Sequence, residues 1–137
     1  MKRYFLDTNI LIDFIANRKP FGQHALALFE KAIEEEWELW TSDNSITTTY
    51  YIIEREVGTV VAKEKLAVLL KYLEVQPVGK EDLLSALQSG FKDYEDAVQY
   101  AAASRITRLT AIVTRNKKDF RGSLLPVLSA DELLVLC

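Results

Sequence analysis

Apolar residues along the chain occur in two alternating patterns, short continuous runs and longer stripes with a helical period. The short runs predict strands at Arg3–Leu6, Glu38–Thr41, Ala111–Thr114 and Pro126–Leu128. A further short segment, Val75–Val78 around Pro77, lies between two helical stretches. Every predicted strand is too short to bury a core by itself, so the helices between the strands must cover the sheet.

The helical stripes follow from apolar residues three and four positions apart. They occur at Ile10–Ile15, Ala25–Ile33, Ile46–Val57, Leu66–Leu73, Leu83–Leu87 and Ala97–Ala102, and Ser129 is a good N-cap for a last helix that continues to Leu136. Short strands that alternate with helices predict an α/β fold with a mostly parallel sheet and helices on both faces. We find no internal repeat or linker, and we expect one domain over residues 1–137.

The composition agrees with a packed globular domain, because hydrophobic residues make up 49% and charged residues 27% of the chain. Asp7 and Asp13 interrupt the apolar run near the start before it reaches signal-peptide or membrane-spanning length, so we expect a cytoplasmic protein that does not bind a membrane. Cys137 and His24 are the only residues of their types, which argues against disulfides and a Cys/His zinc site. Any metal must be bound by oxygen.

The net charge of −3 argues against a protein that coats nucleic acid by bulk electrostatics. The basic residues are nevertheless concentrated late in the chain. Between Arg105 and Arg121 there are six, against the single acid Asp119: Arg105, Arg108, Arg115, Lys117, Lys118 and Arg121. This segment can form a local rim that attracts phosphate.

Acidic and amide side chains follow the predicted strands. Asp7 comes directly after the first strand, and Asn116 and Asp119 follow the strand that ends at Thr114. Asp93 and Asp96 open a predicted helix. Ligands of open parallel sheets bind at the carboxyl ends of the strands, so these groups meet at one edge if the strands are neighbours.

Each of these residues also has a purely structural interpretation. Asp93 and Asp96 resemble a helix N-cap pair, Asp7 can cap the first helix, and Asn116 and Asp119 can shape a turn. Their joint occurrence favours a site, because crowded carboxylates repel one another and a bound divalent cation relieves the repulsion. Oxygen ligands alone suit Mg²⁺ or Mn²⁺.

Three segments, FLDTNILID, DYEDAVQYAAA and IVTRNKKDF, resemble in this order and spacing the signature blocks of PIN-domain proteins. The closing SLLPVLSADELL is similar to a subgroup described as predicted nucleic-acid-binding PIN proteins. The resemblance implies a three-layer α/β/α fold with a central, mostly parallel sheet. It also implies an Mg²⁺- or Mn²⁺-dependent endoribonuclease like the VapC-type toxins, with RNA as substrate, a cognate antitoxin as partner and a homodimeric assembly.

Position by position, the resemblance makes Asp7 the first acidic ligand and Asp96 the acid of the middle block. Asn116 and Asp119 match the last block, and Asp93 matches an additional acid of the subgroup. Asp7, Asp96, Asp119 and Asn116 are then the candidate catalytic residues, with Asp93 as a further metal ligand. The expected reaction is attack of a metal-activated water on an RNA phosphodiester.

The flanking polar residues of the last block are candidates for contact with substrate. Thr114 and Asn116 are expected to position water or ligand side chains. Arg115, Lys117 and Lys118 are expected to contact RNA phosphates, and such contacts weaken with salt.

One position departs from the family pattern. The helix after the second strand usually carries a Glu near its start, whereas here the corresponding residue is Thr48 or Thr49, and Glu54 lies almost two turns later. The alternative interpretation is therefore a PIN-like module that has lost a metal ligand and binds RNA or a protein without cutting. A phosphoacceptor signalling domain fits less well, because Asp96 opens a helix and no Lys convincingly follows a late strand.

Overall fold

The computed structural model describes residues 1–136 and contains one parallel sheet. Its strands are β1 (Lys2–Leu6), β2 (Trp37–Ser42), β3 (Leu73–Gln76), β4 (Leu109–Val113) and β5 (Val127–Leu128). They are arranged in the order β3-β2-β1-β4-β5, and every neighbouring pair is parallel. The predicted parallel sheet is confirmed.

Within residues 1–136 the chain also forms seven α-helices and one short 3-10 helix, of which all but the last helix lie between strands. They are α1 (Thr8–Ala16), α2 (Phe21–Ile33), α3 (Asp43–Val57), α4 (Thr59–Lys71), α5 (Lys80–Leu87), α6 (Tyr94–Ser104), the 3-10 helix Lys117–Phe120 and α7 (Ala130–Leu136). Within this part of the chain no helix combines the length and apolarity needed to cross a membrane.

Alternate residues of the central strands face opposite sides of the sheet. Tyr4 and Leu6 of β1 pack with α1, α2, α3, α4 and α7, while Phe5 packs with α6 and the 3-10 helix. β4 shows the same alternation, with Val113 on the first side and Ile112 on the second. The predicted three-layer α/β/α arrangement is therefore confirmed.

Two local expectations differ from the structure. The third strand is Leu73–Gln76 rather than Val75–Val78, because Leu73 pairs with Leu39 instead of completing the helical stripe before it. The polar turn expected at Asn116–Phe120 is wound into a 3-10 helix from Lys117, and Phe120 is buried in the second core. Both differences arise where one apolar residue anchors a short element through tertiary contacts.

The order of the strands creates a crevice between β1 and β4. From β1 the chain proceeds to β2 and then β3 on one side, and only afterwards returns to place β4 on the other side of β1. The backbone N–H of Asp7 donates to Val113 O at 2.9 Å, at the carboxyl end of this pair of strands. Such a reversal of strand order is where open α/β sheets bind ligands.

Candidate active site

Asp7 lies at the carboxyl end of β1 and is the N-cap of α1. Its carboxylate accepts from Thr8 N at 2.7 Å, from Asn9 Nδ2 at 3.1 Å and from the hydroxyl of Thr114 at 2.7 Å. Thr114 is fully buried at the end of β4, so this last bond ties the two central strands together. The capping interpretation of Asp7 is correct, but it does not account for the Thr114 bond across the crevice.

Asp93 and Asp96 lie at the start of α6. Asp93 is its N-cap and accepts from Asp96 N at 3.0 Å, so the predicted capping pair is present. This bond occupies Oδ1 of Asp93, and within residues 1–136 the Asp96 carboxylate forms no hydrogen bond. Helix α6 packs against β2 and β4, which directs its first turn toward the crevice.

Asn116 and Asp119 reach the same place from the segment after β4. Asn116 N donates to Thr114 Oγ1 at 3.0 Å, and Asp119 N donates to Asn116 O at 3.0 Å as the 3-10 helix begins. Both residues are exposed. The tight turn therefore returns two polar side chains to the mouth of the crevice.

These residues line one cleft of about 310 Å³, which we call the carboxylate cleft. It contains five acids, namely Asp7, Asp93, Glu95, Asp96 and Asp119, together with Thr8, Asn9, Ile12, Thr48, Ile52, Gln99 and Asn116. The structure thus brings together all five residues that the sequence suggested as catalytic or metal-binding. Three segments of the chain that are remote in sequence converge there.

The cleft carries uncompensated negative charge. Burial, together with the neighbouring negative charges of Asp7, Asp93, Asp119 and Glu95, raises the pKa of Asp96 to about 7. Burial also raises the pKa of Asp7 against the lowering effect of its hydrogen bonds, and it raises the pKa of Glu95 with help from Asp93 and Asp7. The repulsion indicates a site that favours a cation.

The chemistry of the donors fits a hard divalent cation, since every ionisable group of the cleft is a carboxylate. Among residues 1–136, however, no three His, Cys, Asp or Glu side chains converge closely enough to hold one ion directly. Mg²⁺ is commonly held by one or two carboxylates and keeps several water ligands. The cleft suits that mode better than a closed cage of protein ligands.

Helix α3 carries the position, Thr48 or Thr49, at which the resemblance to PIN-domain proteins leads us to expect a Glu. Thr48 lines the cleft, whereas Thr49 is fully buried. Glu54 accepts from the hydroxyls of Tyr50 at 2.9 Å and Thr59 at 3.2 Å and does not line the cleft. Of the two candidate positions for that Glu, Thr48 is the one that lines the cleft.

Sequence reasoning missed Glu95 and Gln99. Glu95 lies within 3.5 Å of the Thr8 hydroxyl, and a further hydrogen bond from Thr48 tends to lower its pKa. Gln99 is almost fully buried, accepts from Ser45 Oγ at 3.0 Å and bonds to Asp7. Gln99 follows Asp96 by one helical turn, so a polar residue on the small apolar face of α6 was the available signal. Glu95 carried no such signal.

The three cations expected to contact substrate have different surroundings. Arg115 forms a two-pronged pair with Asp13, with Nε at 2.6 Å and Nη2 at 3.2 Å, and lies over the ring of Phe21. Lys117 binds both carboxylate oxygens of Glu132. Lys118 forms no ion pair within the described residues 1–136 and lines a second cleft, beside the first.

The sequence profile of the PIN domain family matches residues 3–118, which is most of the chain. The protein belongs to the PIN domain family. The fold and the three converging segments described above agree with the resemblance that the sequence motifs carry.

The relatives are more specific. The chain is 25% identical over 136 residues to Ribonuclease VapC1 of Aquifex aeolicus (strain VF5), which covers 96% of this chain and 92% of that protein. Among solved structures it is similar to VapBC2 from Rickettsia felis bound to a DNA fragment from its promoter, with TM-score 0.67, 19% identity, and 93% and 97% of the two chains covered. It is also similar to Mycobacterium tuberculosis VapC20, described as a Sarcin-Ricin loop cleaving toxin, with TM-score 0.63, 16% identity, and 80% and 86% covered.

Proposed function

We propose that the protein is an endoribonuclease of the VapC type that hydrolyses RNA phosphodiester bonds with Mg²⁺ or Mn²⁺ in the carboxylate cleft. The observation that carries the proposal is the convergence of Asp7, Asp96 and Asp119 in one cleft at the crevice between β1 and β4. The relative named Ribonuclease VapC1 and the toxin that cleaves the Sarcin-Ricin loop support an RNA substrate.

The residues of the cleft divide into ligands and positioning groups. Asp7 and Asp96 are the main candidates to hold the cation, and Asp119 and Asp93 act directly or through water. A divalent cation bound here supplies activation of a water molecule and neutralisation of charge on the phosphoryl oxygens. Thr114 holds the Asp7 carboxylate from below through its hydroxyl, and the exposed Asn116 amide orients water or substrate at the mouth.

Glu95 replaces the acid that α3 lacks. Its carboxylate extends from α6 to the hydroxyls of Thr8 and Thr48, and Thr48 is the candidate position for that acid that lines the cleft. The cleft therefore retains its negative charge although the acid comes from a different helix. Because α6 supplies the acid that α3 lacks, the cleft favours a catalytic domain over a binding module that has lost a metal ligand.

The test of Glu95 combines loss with rescue. Glu95→Gln is expected to weaken Mn²⁺ binding and RNA cleavage by about tenfold or more, the usual effect of losing a group that tunes a metal site. Adding Thr48→Glu to that variant is expected to recover both. Glu54→Gln is the matched control, since Glu54 lies on α3 outside the cleft. Equal losses in Glu95→Gln and Glu54→Gln would remove Glu95 from the site.

A cognate antitoxin and a homodimer remain part of the proposal. VapBC2 from Rickettsia felis and a toxin-antitoxin complex from Klebsiella pneumoniae are similar structures, the second with TM-score 0.64 and 22% identity, and they support an antitoxin partner. Sedimentation of the purified protein alone and with a co-expressed candidate antitoxin measures both assemblies.

The function is tested by incubating the purified protein with mixed labelled RNAs in Mg²⁺, Mn²⁺ or EDTA. We expect cleavage with either metal, none in EDTA, and none from Asp7→Asn or Asp96→Asn. A wild type that binds RNA but never cuts it favours the alternative, a binding module. Cleavage that persists in both variants contradicts the assignment of the site.

A further inference from the structure

A second cleft of about 320 Å³ adjoins the carboxylate cleft and shares Asp93 and Asp119 with it. Three cations line it, Lys92, Lys118 and Arg121, and we call it the basic cleft. Lys92 comes from the loop before α6, while Lys118 and Arg121 come from the 3-10 helix and the residue after it. Two distant segments of the chain therefore bring positive charge to one place.

The three cations are available to a ligand. All three are exposed, and none of their side chains forms an ion pair within residues 1–136. Arg115 and Lys117, by contrast, are engaged with Asp13 and Glu132. The positive charge free to attract phosphate near the site therefore lies in the basic cleft rather than along the whole basic segment.

The arrangement matches the needs of a polyanion that must enter an acidic site. Lys92 and Lys118 each directly precede an acid shared by the two clefts, Asp93 and Asp119. Phosphates beside the one to be cut are repelled by the carboxylates, and neighbouring cations offset that repulsion. A protein with a net charge of −3 attracts RNA only through such local patches.

The remaining wall of the basic cleft favours nucleic acid over an acidic peptide. Phe91 lines it, and its ring is held by stacking on Tyr100 at 5.0 Å and by an edge contact with Phe120 at 5.7 Å. Single-stranded nucleic acids bind where cations contact the backbone and aromatic rings face the bases. The basic cleft combines the ring of Phe91 with three cations that form no ion pair in the part of the chain that the structure describes.

We propose that the basic cleft binds the backbone phosphates of single-stranded RNA next to the phosphate held in the carboxylate cleft. The inference rests on the proposed function and names the substrate contacts of that site. From the sequence, Arg115, Lys117 and Lys118 are expected to contact RNA phosphates. The proposal keeps Lys118 and assigns the other contacts to Lys92 and Arg121.

The test measures binding of a labelled single-stranded RNA to the Asp7→Asn protein over a range of salt concentrations. The cleft variant adds Lys92→Gln, Lys118→Gln and Arg121→Gln. The control variant adds Lys2→Gln, Lys63→Gln and Lys80→Gln, three exposed cations outside both clefts, so the net charge of the two variants is equal. Thermal melting checks that each variant folds.

We expect the cleft variant to lose at least about tenfold in affinity and to lower the slope of log K against log salt by about 2, which corresponds to three phosphate contacts on a single strand. The control variant should change both quantities much less. Equal losses in the two variants overturn the proposal, because they indicate bulk attraction. A cleft variant that keeps its RNA affinity but loses affinity for a co-expressed acidic partner protein overturns it too.

The same measurements separate this inference from the proposed function. If the wild type cleaves RNA while the cleft variant binds RNA as the control does, the nuclease proposal holds and the basic cleft is not its RNA site. If the wild type cuts no RNA in Mg²⁺ or Mn²⁺ but the cleft variant selectively loses RNA affinity, the nuclease proposal fails and the RNA site in the basic cleft is supported.

Discussion

At the scale of single residues, two acids of the carboxylate cleft, Asp7 and Asp93, also have a structural role. Asp7 and Asp93 cap helices, as their positions in the sequence predict, and still line the cleft. Local sequence therefore identifies the caps, and only the tertiary fold brings the caps together. Glu95 could not be predicted, because its neighbour Asp96 already explained the local acid pattern.

The raised pKa of Asp96 predicts how the stability of the metal-free protein depends on pH. Its pKa of about 7 in the folded protein exceeds the ordinary value of 3.8, so the folded state binds the proton more tightly than the unfolded state. The resulting stability is present below pH 3.8 and is lost as the pH rises through about 7. Asp7 and Glu95 shift in the same direction.

In EDTA, the free energy of unfolding is therefore expected to fall by about 1–2 kcal/mol between acidic and neutral pH, after allowance for solvent screening at a partly exposed group. Asp96→Asn should flatten this dependence. It should also stabilise the metal-free protein at alkaline pH, because the substitution removes a carboxylate that is charged there in the wild type. Denaturant titrations of both proteins across this range measure the effect. If the free energy of unfolding of Asp96→Asn depends on pH as that of the wild type does, the proposed repulsion between Asp96 and the other carboxylates of the cleft is wrong.

Thr114 is expected to matter through its hydroxyl. Thr114→Val keeps the shape of the side chain but removes the donor to Asp7 and the acceptor for Asn116 N, which should cost about 1–3 kcal/mol of stability. We also expect Mn²⁺ affinity to fall by about tenfold, because the Asp7 carboxylate loses the bond that orients it. Thr114→Ser keeps the hydroxyl and should retain the affinity. Calorimetric titration that finds the two variants equal contradicts this role.

At the scale of elements, the sequence predicts strands and helices well wherever an apolar pattern is long. The observed bounds of an element differ from the predicted ones where the burial of a single residue determines the local structure. This is the case for Leu73 in β3 and for Phe120 in the 3-10 helix. The partners of charged side chains were also inaccessible to sequence reasoning. Asp13 and Arg115 lie about a hundred residues apart, and only the packing of α1 beside the end of β4 brings them into contact.

The Asp13–Arg115 pair is expected to hold α1 against the segment after β4. The Asp13 side chain is fully buried, so Arg115→Met leaves an uncompensated charge and should cost about 3–5 kcal/mol. Lys117→Met removes the exposed pair with Glu132 and should change the stability much less than Arg115→Met does. Chemical denaturation measures both.

A double variant separates the structural role of Arg115 from the contact with RNA that its sequence position suggests. Asp13→Leu with Arg115→Met replaces the buried pair by apolar groups and should recover most of the lost stability. If Arg115 acts only on the fold, the RNA affinity of this double variant equals that of the wild type. A stable double variant with weakened RNA binding would instead assign Arg115 to the substrate.

At the scale of the whole molecule, strand order explains the position of the site. Strands β2 and β3 are added on one side of β1, and β4 and β5 are added on the other side. Asp7 and Thr114 come directly after β1 and β4, the two strands at this switch. The sequence predicted the parallel sheet and the segments that meet at its edge. The division of that edge into a carboxylate cleft and a basic cleft depends on side-chain pairing, which the sequence does not reveal.

The central claim is that the carboxylate cleft binds a divalent cation, and the most direct measurement is a titration with Mn²⁺ followed by electron paramagnetic resonance. Above the pKa of about 7 of Asp96, we expect a single site per chain, with affinity at least about tenfold weaker in Asp7→Asn and Asp96→Asn. Glu64→Gln, an exposed acid of α4 outside the cleft, should bind as the wild type does. Mn²⁺ binding that is absent in the wild type, or equal in all four proteins, would contradict the account.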